Sequence, residues 1–298
     1  MVTSVDREII AGYGSFKDPR TFEIFTLNLE SGEFKIYTPK EGATCKPPMV
    51  YNGKLLFSTN AFGDEKLVIY DVYEGKLEEL KLPHEDYKKY KFPDYADYGW
   101  TEDGRIWFIG KINGRTKAFI DGREVPLPEG YTSNLIVDGE TAYATWSTLT
   151  TPTRILKVDL KTGVVREVLG AKLPDYIAKR IGGTSFVRYR SFDDLEIPAF
   201  IVESATASKP GPTIVYVHGG PWWEVSDSWN VFIASLVALG YHVIAPNFRG
   251  STGYGEEFRR LDIGDPGGGD LMDVVYARNY AVNSGLAGEG EVAIMGYS

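Results

Sequence analysis

The sequence has almost no cysteine and very little histidine. Cys45 is the single cysteine in 298 residues, which excludes an internal disulfide and favours a reducing compartment. The three histidines, His84, His218 and His242, do not have the spacing of metal ligands. We therefore expect neither a metal nor any other cofactor.

Long apolar runs and an excess of basic residues are also missing. The sequence contains no stretch of 18 apolar residues and no signal peptide, so we expect a cytoplasmic protein with no membrane partner. Asp and Glu number 41 against 32 Lys and Arg, which gives a net charge of -9. That balance argues against nucleic acid as a partner.

Aromatic residues and glycine, by contrast, are plentiful. The chain has 19 Tyr, 15 Phe and 33 Gly, and 43% of its residues are hydrophobic. This composition is typical of a globular protein with many strands and tight turns. The length alone suggests about two domains.

A hairpin pattern repeats through residues 1–175. A polar or acidic residue and a hydrophobe precede a turn that closes on glycine, and alternating apolar residues follow. The turn glycines, Gly32, Gly75, Gly122 and Gly163, are 43, 47 and 41 residues apart. A period in the low forties is typical of a four-stranded propeller blade, whereas meanders in a sandwich would be spaced less regularly. We predict four blades of a β-propeller, as part of a larger ring.

One segment interrupts this repeat. Residues 85–98 are rich in charge and in tyrosine. We interpret the segment as a solvated loop; the alternative is a loop on the propeller face that contacts substrate.

The pattern changes in residues 176–298, where short, wholly apolar strands alternate with helical periodicity. This β-α-β-α-β succession predicts a parallel sheet with helices on both faces, preceded by a hairpin. The predicted strands are 184–190, 195–202, 213–217, 241–246 and 292–295, and the predicted helices are 231–239 and 270–282.

Two motifs that follow buried strands carry chemistry. His218-Gly219-Gly220 comes after one strand, and such glycines let backbone N–H groups point at a ligand, as an oxyanion hole requires. Gly296-Tyr297-Ser298 follows another strand and is typical of a nucleophile elbow. We expect His218 to support its loop rather than act as the base, because the catalytic histidine of such folds follows the serine.

Four motifs in this order resemble those of the prolyl oligopeptidase family of serine peptidases, and most closely those of its acylaminoacyl peptidases. They are His-Gly-Gly-Pro at 218–221, Asn-Phe-Arg-Gly-Ser-Thr-Gly-Tyr-Gly at 247–255, Gly-Asp-Pro-Gly-Gly-Gly-Asp at 264–270 and Gly-Tyr-Ser at 296–298. Position 266 is Pro where many relatives have Trp. The resemblance implies an N-terminal β-propeller over 1–175 followed by an α/β-hydrolase domain over 176–298.

The resemblance also implies roles for the site residues. Ser298 would be the nucleophile, the backbone N–H of Gly220 an oxyanion donor, and His218 and Gly219 the support of the loop. Family members carry the acid and histidine of the triad after the serine, so the α/β-hydrolase domain would be incomplete in these 298 residues. We expect them to be an internal portion of a longer enzyme that is inactive alone, and expect a homo-oligomer from the resemblance.

The resulting hypothesis is a serine peptidase that releases N-acylated amino acids or short fragments from oligopeptides through an acyl-enzyme. The propeller would restrict substrates by size, so that short or N-acylated peptides are the partners. Alternatives are prolyl-oligopeptidase or dipeptidyl-peptidase specificity, an esterase of the same fold, which would normally lack a propeller, and a catalytically silent propeller fragment.

Overall fold

The first part of the chain forms four antiparallel sheets of four strands each. A computed structural model describes residues 2–82 and 84–298. The first two sheets contain β1 (Val2–Ser4), β2 (Ile9–Gly14), β3 (Glu23–Asn28), β4 (Phe34–Tyr37), β5 (Met49–Tyr51), β6 (Lys54–Thr59), β7 (Lys66–Asp71) and β8 (Lys76–Glu79). The other two contain β9 (Asp94–Trp100), β10 (Ile106–Ile112), β11 (Arg115–Ile120), β12 (Arg123–Glu124), β13 (Tyr131–Asp138), β14 (Thr141–Ser147), β15 (Arg154–Asp159) and β16 (Val165–Gly170). Within each sheet every strand pairs with the next along the chain, as in propeller blades.

The predicted hairpin turns join the third and fourth strands of each sheet. Their glycines have φ between 66° and 75°, a left-handed conformation that glycine adopts without steric cost: Gly32, Gly75, Gly122 and Gly163. In three sheets the residue that opens the turn accepts two backbone N–H bonds of 2.8–3.0 Å, and these residues are Asn28, Asp71 and Asp159. The repeat therefore arises from local turn chemistry.

The segment 85–98 is not a solvated loop, and that interpretation was wrong. It contains helix α1 (Glu85–Lys88) and the first residues of β9. Phe92, Tyr95 and Tyr98 are at most 6% exposed and pack in a core with the rings of β10 and β11. The charges of the segment dominate its composition, but the large apolar area of its aromatic rings decides where it packs.

The remaining strands form one mixed sheet. They are β17 (Ile181–Arg190), β18 (Glu196–Ser204), β19 (Thr213–Val217), β20 (His242–Pro246) and β21 (Val292–Gly296), in the spatial order β17-β18-β20-β19-β21. β19 lies parallel to both β20 and β21, while the β17–β18 hairpin pairs antiparallel with β20 through β18. The predicted parallel sheet is thus limited to three strands, extended on one side by the predicted hairpin.

Helices cover both faces of this sheet. In chain order the helices after α1 are α2 (Asp175–Ala178), α3 (Val231–Ala238), α4 (Glu256–Arg259), a 3-10 turn (Arg260–Asp262) and α5 (Gly269–Asn283). Successive residues of a strand point to opposite faces. On β18, Phe200 packs in the core that contains α3, and Ile201 packs in the core that contains α5. No helix among the described residues is long and apolar enough to cross a membrane.

Candidate active site

The carboxyl ends of β19 and β21 bring the two predicted motifs together. These neighbouring parallel strands pair with Val217 opposite Gly296, so both motifs leave the sheet at the same edge. A Cβ placed on Gly219 would lie 2.5 Å from Cβ of Ser298 and 3.1 Å from its Oγ. Gly219 therefore lies directly against Ser298, and a side chain at this position would displace the serine.

Ser298 has the backbone conformation of a sharp turn. Its φ is 82°, in the left-handed region that disfavours residues with a side chain. Strain of this kind accompanies a nucleophile elbow, where the turn lifts the serine hydroxyl above the sheet. The nucleophile elbow at Gly296-Tyr297-Ser298 stays a prediction.

His218 is bonded within its own loop and not to Ser298. Its Nε2 lies 3.0 Å from Oγ of Ser251, and its Nδ1 lies 2.8 Å from the carbonyl oxygen of Gly219. The ring stacks on Phe248 with centroids 4.4 Å apart. Burial lowers the pKa of His218, which favours the neutral imidazole near pH 7. With both nitrogens engaged, this side chain is suited to holding the loop.

The Asn247–Gly255 motif supports the loop that begins at His218. The amide of Asn247 accepts a 2.7 Å hydrogen bond from the N–H of Val225 and donates a 2.9 Å bond to its carbonyl. The same amide donates to the Tyr254 hydroxyl at 2.7 Å. The motif at 247–255 therefore fixes the backbone of the neighbouring loop.

Arg249 of the same motif forms a buried ion cluster with Asp193 and Asp273, which we call the Arg249 cluster. Its guanidinium and backbone N–H make five hydrogen bonds of 2.8–3.0 Å to the two carboxylates. Asp273 on α5 is fully buried and also accepts from Ser191 Oγ at 2.6 Å. Hydrogen bonds with Asp273, more than those with Asp193, raise the pKa of Arg249. The cluster ties the loop after β20 to α5 and to the β17–β18 turn.

A cavity of about 1280 Å³ separates Ser298 from the antiparallel sheets. Gly219, Gly220 and Ser298 line one side, and residues of the first three sheets and Tyr131 line the other. Trp223 and Tyr297, which are 67% and 71% exposed, also line it. Its volume exceeds the 300–1,000 Å³ usual for small-molecule sites, so it has room for a peptide.

Five charged residues line this cavity, and we call them the cavity charge cluster: Lys46, which is exposed, and the buried or partly buried Glu65, Asp94, Lys111 and Glu224. Lys46 Nζ lies 2.8 Å from Oε1 of Glu65 and 3.9 Å from Oδ1 of Asp94. Burial, reinforced by the neighbouring Asp94, raises the pKa of Glu65 to about 8. Burial opposes ionisation of Asp94 too, but hydrogen bonding with Glu65 and the charge of Lys46 leave its pKa lowered.

Sequence reasoning missed both charged clusters. Their members are scattered along the chain, and none lies in a spacing that points to an ion pair. The described residues contain no group of three His, Cys, Asp or Glu side chains that could hold a metal ion.

Matches to family models cover both parts of the chain. Residues 1–156 match the N-terminal domain of acylamino-acid-releasing enzyme-like proteins, and residues 225–298 match the prolyl oligopeptidase family. The chain belongs to the prolyl oligopeptidase family. The resemblance predicted from the motifs at 218–221, 247–255, 264–270 and 296–298 is confirmed.

Curated proteins of two kinds are similar to the chain. Dipeptidyl aminopeptidase BIII of Pseudoxanthomonas mexicana is 29% identical over 170 residues, which are 54% of this chain and 24% of that protein. Acylamino-acid-releasing enzyme 1 of Oryza sativa subsp. japonica is 38% identical over 87 residues, 29% of this chain and 11% of that protein. The chain therefore aligns with well under half of the length of either relative.

Solved structures share the fold. A puromycin-hydrolysing peptidase from Mycobacterium tuberculosis has a TM-score of 0.78 at 21% identity, and the match covers 98% of this chain and 47% of that one. This likeness supports the propeller-type sheets and the adjoining mixed sheet of the predicted fold class. At this identity it carries no information on substrate.

Proposed function

We propose that the chain belongs to a serine peptidase that releases N-acylated amino acids or short fragments from oligopeptides. The observation that carries the proposal is the contact of Gly219 with Ser298 at the ends of β19 and β21. The match of residues 1–156 to an acylamino-acid-releasing enzyme-like domain favours substrates with a blocked N-terminus. The similarity to a dipeptidyl aminopeptidase supports a second candidate, the release of dipeptides from a free N-terminus.

In this mechanism Ser298 Oγ attacks the carbonyl carbon of the scissile bond and forms the C–O bond of a tetrahedral intermediate. The Ser298 proton passes to a histidine base, which then donates it to the departing amine as the C–N bond breaks. The negative charge that develops on the carbonyl oxygen accepts a hydrogen bond from the N–H of Gly220. The histidine then takes a proton from water as the water oxygen attacks the acyl carbon, and it returns that proton to Ser298 Oγ as the ester C–O bond to the serine breaks.

None of the three histidines is positioned as that base. His84 lies between the second and third antiparallel sheets, and His218 is engaged within its loop. His242 is at the amino end of β20, where its nitrogens meet Ser204 N and Ser208 O. We therefore propose, with the family resemblance, that the triad histidine and acid follow Ser298 in the natural polypeptide. Residues 1–298 alone would then be inactive.

The test is Ser298→Ala in the full-length natural polypeptide, with an acetylated amino-acid p-nitroanilide as substrate. Loss of a triad serine costs on the order of a million-fold in kcat. Ser284→Ala is the matched control, because Ser284 lies at the end of α5 and, among the described residues, its hydroxyl donates only to the carbonyl of Ala281. Retention of more than about a hundredth of the activity in Ser298→Ala would contradict the nucleophile assignment.

The two candidate specificities are separated by the N-terminus of the substrate. We expect kcat/KM for an acetylated amino-acid p-nitroanilide to exceed that for a dipeptide p-nitroanilide with a free amine. The reverse order would support the dipeptidyl-peptidase candidate. Hydrolysis of simple esters with no cleavage of either p-nitroanilide would support an esterase.

We also propose that the antiparallel sheets restrict substrate size, because they lie across the cavity from Ser298. One cleavable sequence presented in a short peptide, a long unfolded chain and a native protein tests this. Equal kcat/KM for the three would contradict the restriction. A domain boundary between residues 175 and 176, an incomplete α/β-hydrolase domain, a cytoplasmic location and a homo-oligomer stay predictions.

A further inference from the structure

The loop that carries the proposed oxyanion donor is held both by its own part of the chain and by the antiparallel sheets. We call residues 218–229 the oxyanion loop. The Asn247–Gly255 motif holds its backbone at Trp223 and Val225, and the third and fourth antiparallel sheets contact it at Glu224 and Asp227. We propose that Lys111 is a positioning residue for the oxyanion loop, so that the propeller-type sheets contribute to the chemical step. This inference rests on the proposed function.

The first contact joins β10 to the middle of the loop. Lys111 Nζ donates to Oε1 of Glu224 over 2.7 Å, and the two side chains are only 18% and 6% exposed. Lys111 is the sole hydrogen-bond partner of the Glu224 carboxylate among the described residues, and Oε2 is buried without one. Burial raises the pKa of Glu224, and Lys111 offsets part of that rise. Without Lys111 a buried carboxylate would be left uncompensated.

The second set of contacts holds the end of the loop at Asp227. Its carboxylate accepts a 2.9 Å bond from Nε of Arg115 and a 3.0 Å bond from the backbone N–H of Leu149. Its own N–H donates to the carbonyl of Gly114 at 2.7 Å. These partners belong to the β10–β11 turn, to the start of β11 and to the segment after β14.

Few residues separate Glu224 from the proposed donor. Gly220 has φ of 132°, and a Cβ on it would lie 2.7 Å from the N–H nitrogen of Trp222 and 3.0 Å from that of Trp223. Trp223 N–H donates to the carbonyl of Pro221 at 2.7 Å, and Trp223 O accepts from Thr252 N–H at 3.0 Å. Because the turn between Gly220 and Trp223 is tightly packed, we expect a displacement of Glu224 to move the N–H of Gly220.

Oxyanion stabilisation depends steeply on such placement. A donor must lie about 2.7–3.1 Å from the developing oxyanion, and a 1 Å misplacement can cost about a hundred-fold in rate. A positioning role predicts a fall in kcat for every substrate, because all share the oxyanion. A role in access alone would spare small substrates.

The experiment replaces Lys111 by Met in the full-length natural polypeptide and measures kcat and KM for p-nitrophenyl acetate and an acetylated amino-acid p-nitroanilide. We expect kcat to fall about ten- to a hundred-fold for both, with KM changed less than about two-fold. Lys111→Arg, which keeps the charge and the donor, should recover most of the loss. Lys117→Met is the matched control, because its 2.7 Å ion pair with Glu124 stays within the third sheet.

A second variant distinguishes loss of the Lys111–Glu224 contact from loss of folding. Lys111→Met combined with Glu224→Gln removes the unpaired charge. The protein should therefore fold, while the ion pair between positions 111 and 224 remains absent and kcat remains low. A folded single or double variant with the kcat of the wild type would overturn the inference, as would a loss confined to the larger substrate. Wild-type protein without Ser298-dependent turnover would instead refute the proposed function.

Discussion

The Arg249 cluster and the cavity charge cluster both hold loops near Ser298, but they are built from different cations. In the first, one guanidinium bonds two carboxylates with the planar, bidentate geometry that arginine allows. In the second, Lys46 and Lys111 act as point charges among three carboxylates. In the Arg249 cluster the buried Asp273 is matched by one cation, Arg249. The cavity charge cluster has two cations for three carboxylates.

The difference determines which cluster responds to pH. The pKa of Arg249 is raised, so its charge does not change under any physiological condition. Glu65, with a pKa of about 8, changes its charge where the protein is expected to work. The charge of the Arg249 cluster is therefore fixed, whereas Glu65, which lies in the antiparallel sheets beside Lys46 and Asp94, is expected to respond to pH.

The largest expected effect on the free energy of unfolding comes from removing Arg249. Arg249→Met leaves the fully buried Asp273 without its cation, and we expect the free energy of unfolding to fall by about 3–5 kcal/mol. Urea denaturation measures this. Arg154→Met is the matched control, because its 2.7 Å pair with Glu167 is about 30% exposed and should contribute only about 0–1 kcal/mol. Equal losses in the two variants would contradict the comparison.

An intermediate effect is expected from Glu65→Gln. Since the pKa of Glu65 is higher in the folded protein than its ordinary 4.5, the folded state binds more protons than the unfolded state between about pH 4.5 and pH 8. Its contribution is present below pH 4.5 and is lost as the pH rises to 8. We expect this pH-dependent loss to disappear in Glu65→Gln, because an amide does not titrate.

Denaturation at pH 5, 6.5 and 8 measures the slope for the wild type and for Glu65→Gln. Parallel slopes in the two proteins would show that Glu65 does not titrate in this range. The Arg154→Met variant serves as the reference here, because loss of a pair that is about 30% exposed should leave the slope unchanged between pH 5 and pH 8.

The smallest effect is expected from the outer carboxylate of the Arg249 cluster. Asp193 is 39% exposed, and its pKa is lowered by hydrogen bonding with Arg249. A lowered pKa stabilises the protein above the ordinary value of 3.8, and that contribution is lost as the pH falls through the folded-state pKa. At this exposure Asp193→Asn should cost at most about 1 kcal/mol at pH 7, and this cost should shrink as the pH falls through the folded-state pKa of Asp193. A cost equal to that of Arg249→Met would show that both carboxylates matter equally.

The features that sequence reasoning predicted well depend on neighbours in the chain. The hairpin turns were predictable because Asn28, Asp71 and Asp159 bond to backbone N–H groups two and three residues ahead. The meeting of Gly219 with Ser298 was predictable because both follow buried strands, whose carboxyl ends share one edge of a parallel sheet.

The features that were missed depend on distant partners. Lys111 and Glu224 are 113 residues apart, and neither has a local reason to pair with the other. Asp273 on α5 resembles an ordinary surface residue of an amphipathic helix until Arg249 is placed over it. Buried ion pairs of this kind follow from the assembled topology and leave no periodic signal in the sequence.

The pairing of β19 with β21 has a consequence for how this protein can vary in length. The height of Ser298 over Gly219 is set by the backbone register that places Val217 opposite Gly296. One residue added to or removed from either strand would move the serine by about 3.3 Å and turn successive side chains to the wrong face. Insertions and deletions should therefore accumulate in the turns of the antiparallel sheets, while these two strands keep a constant length.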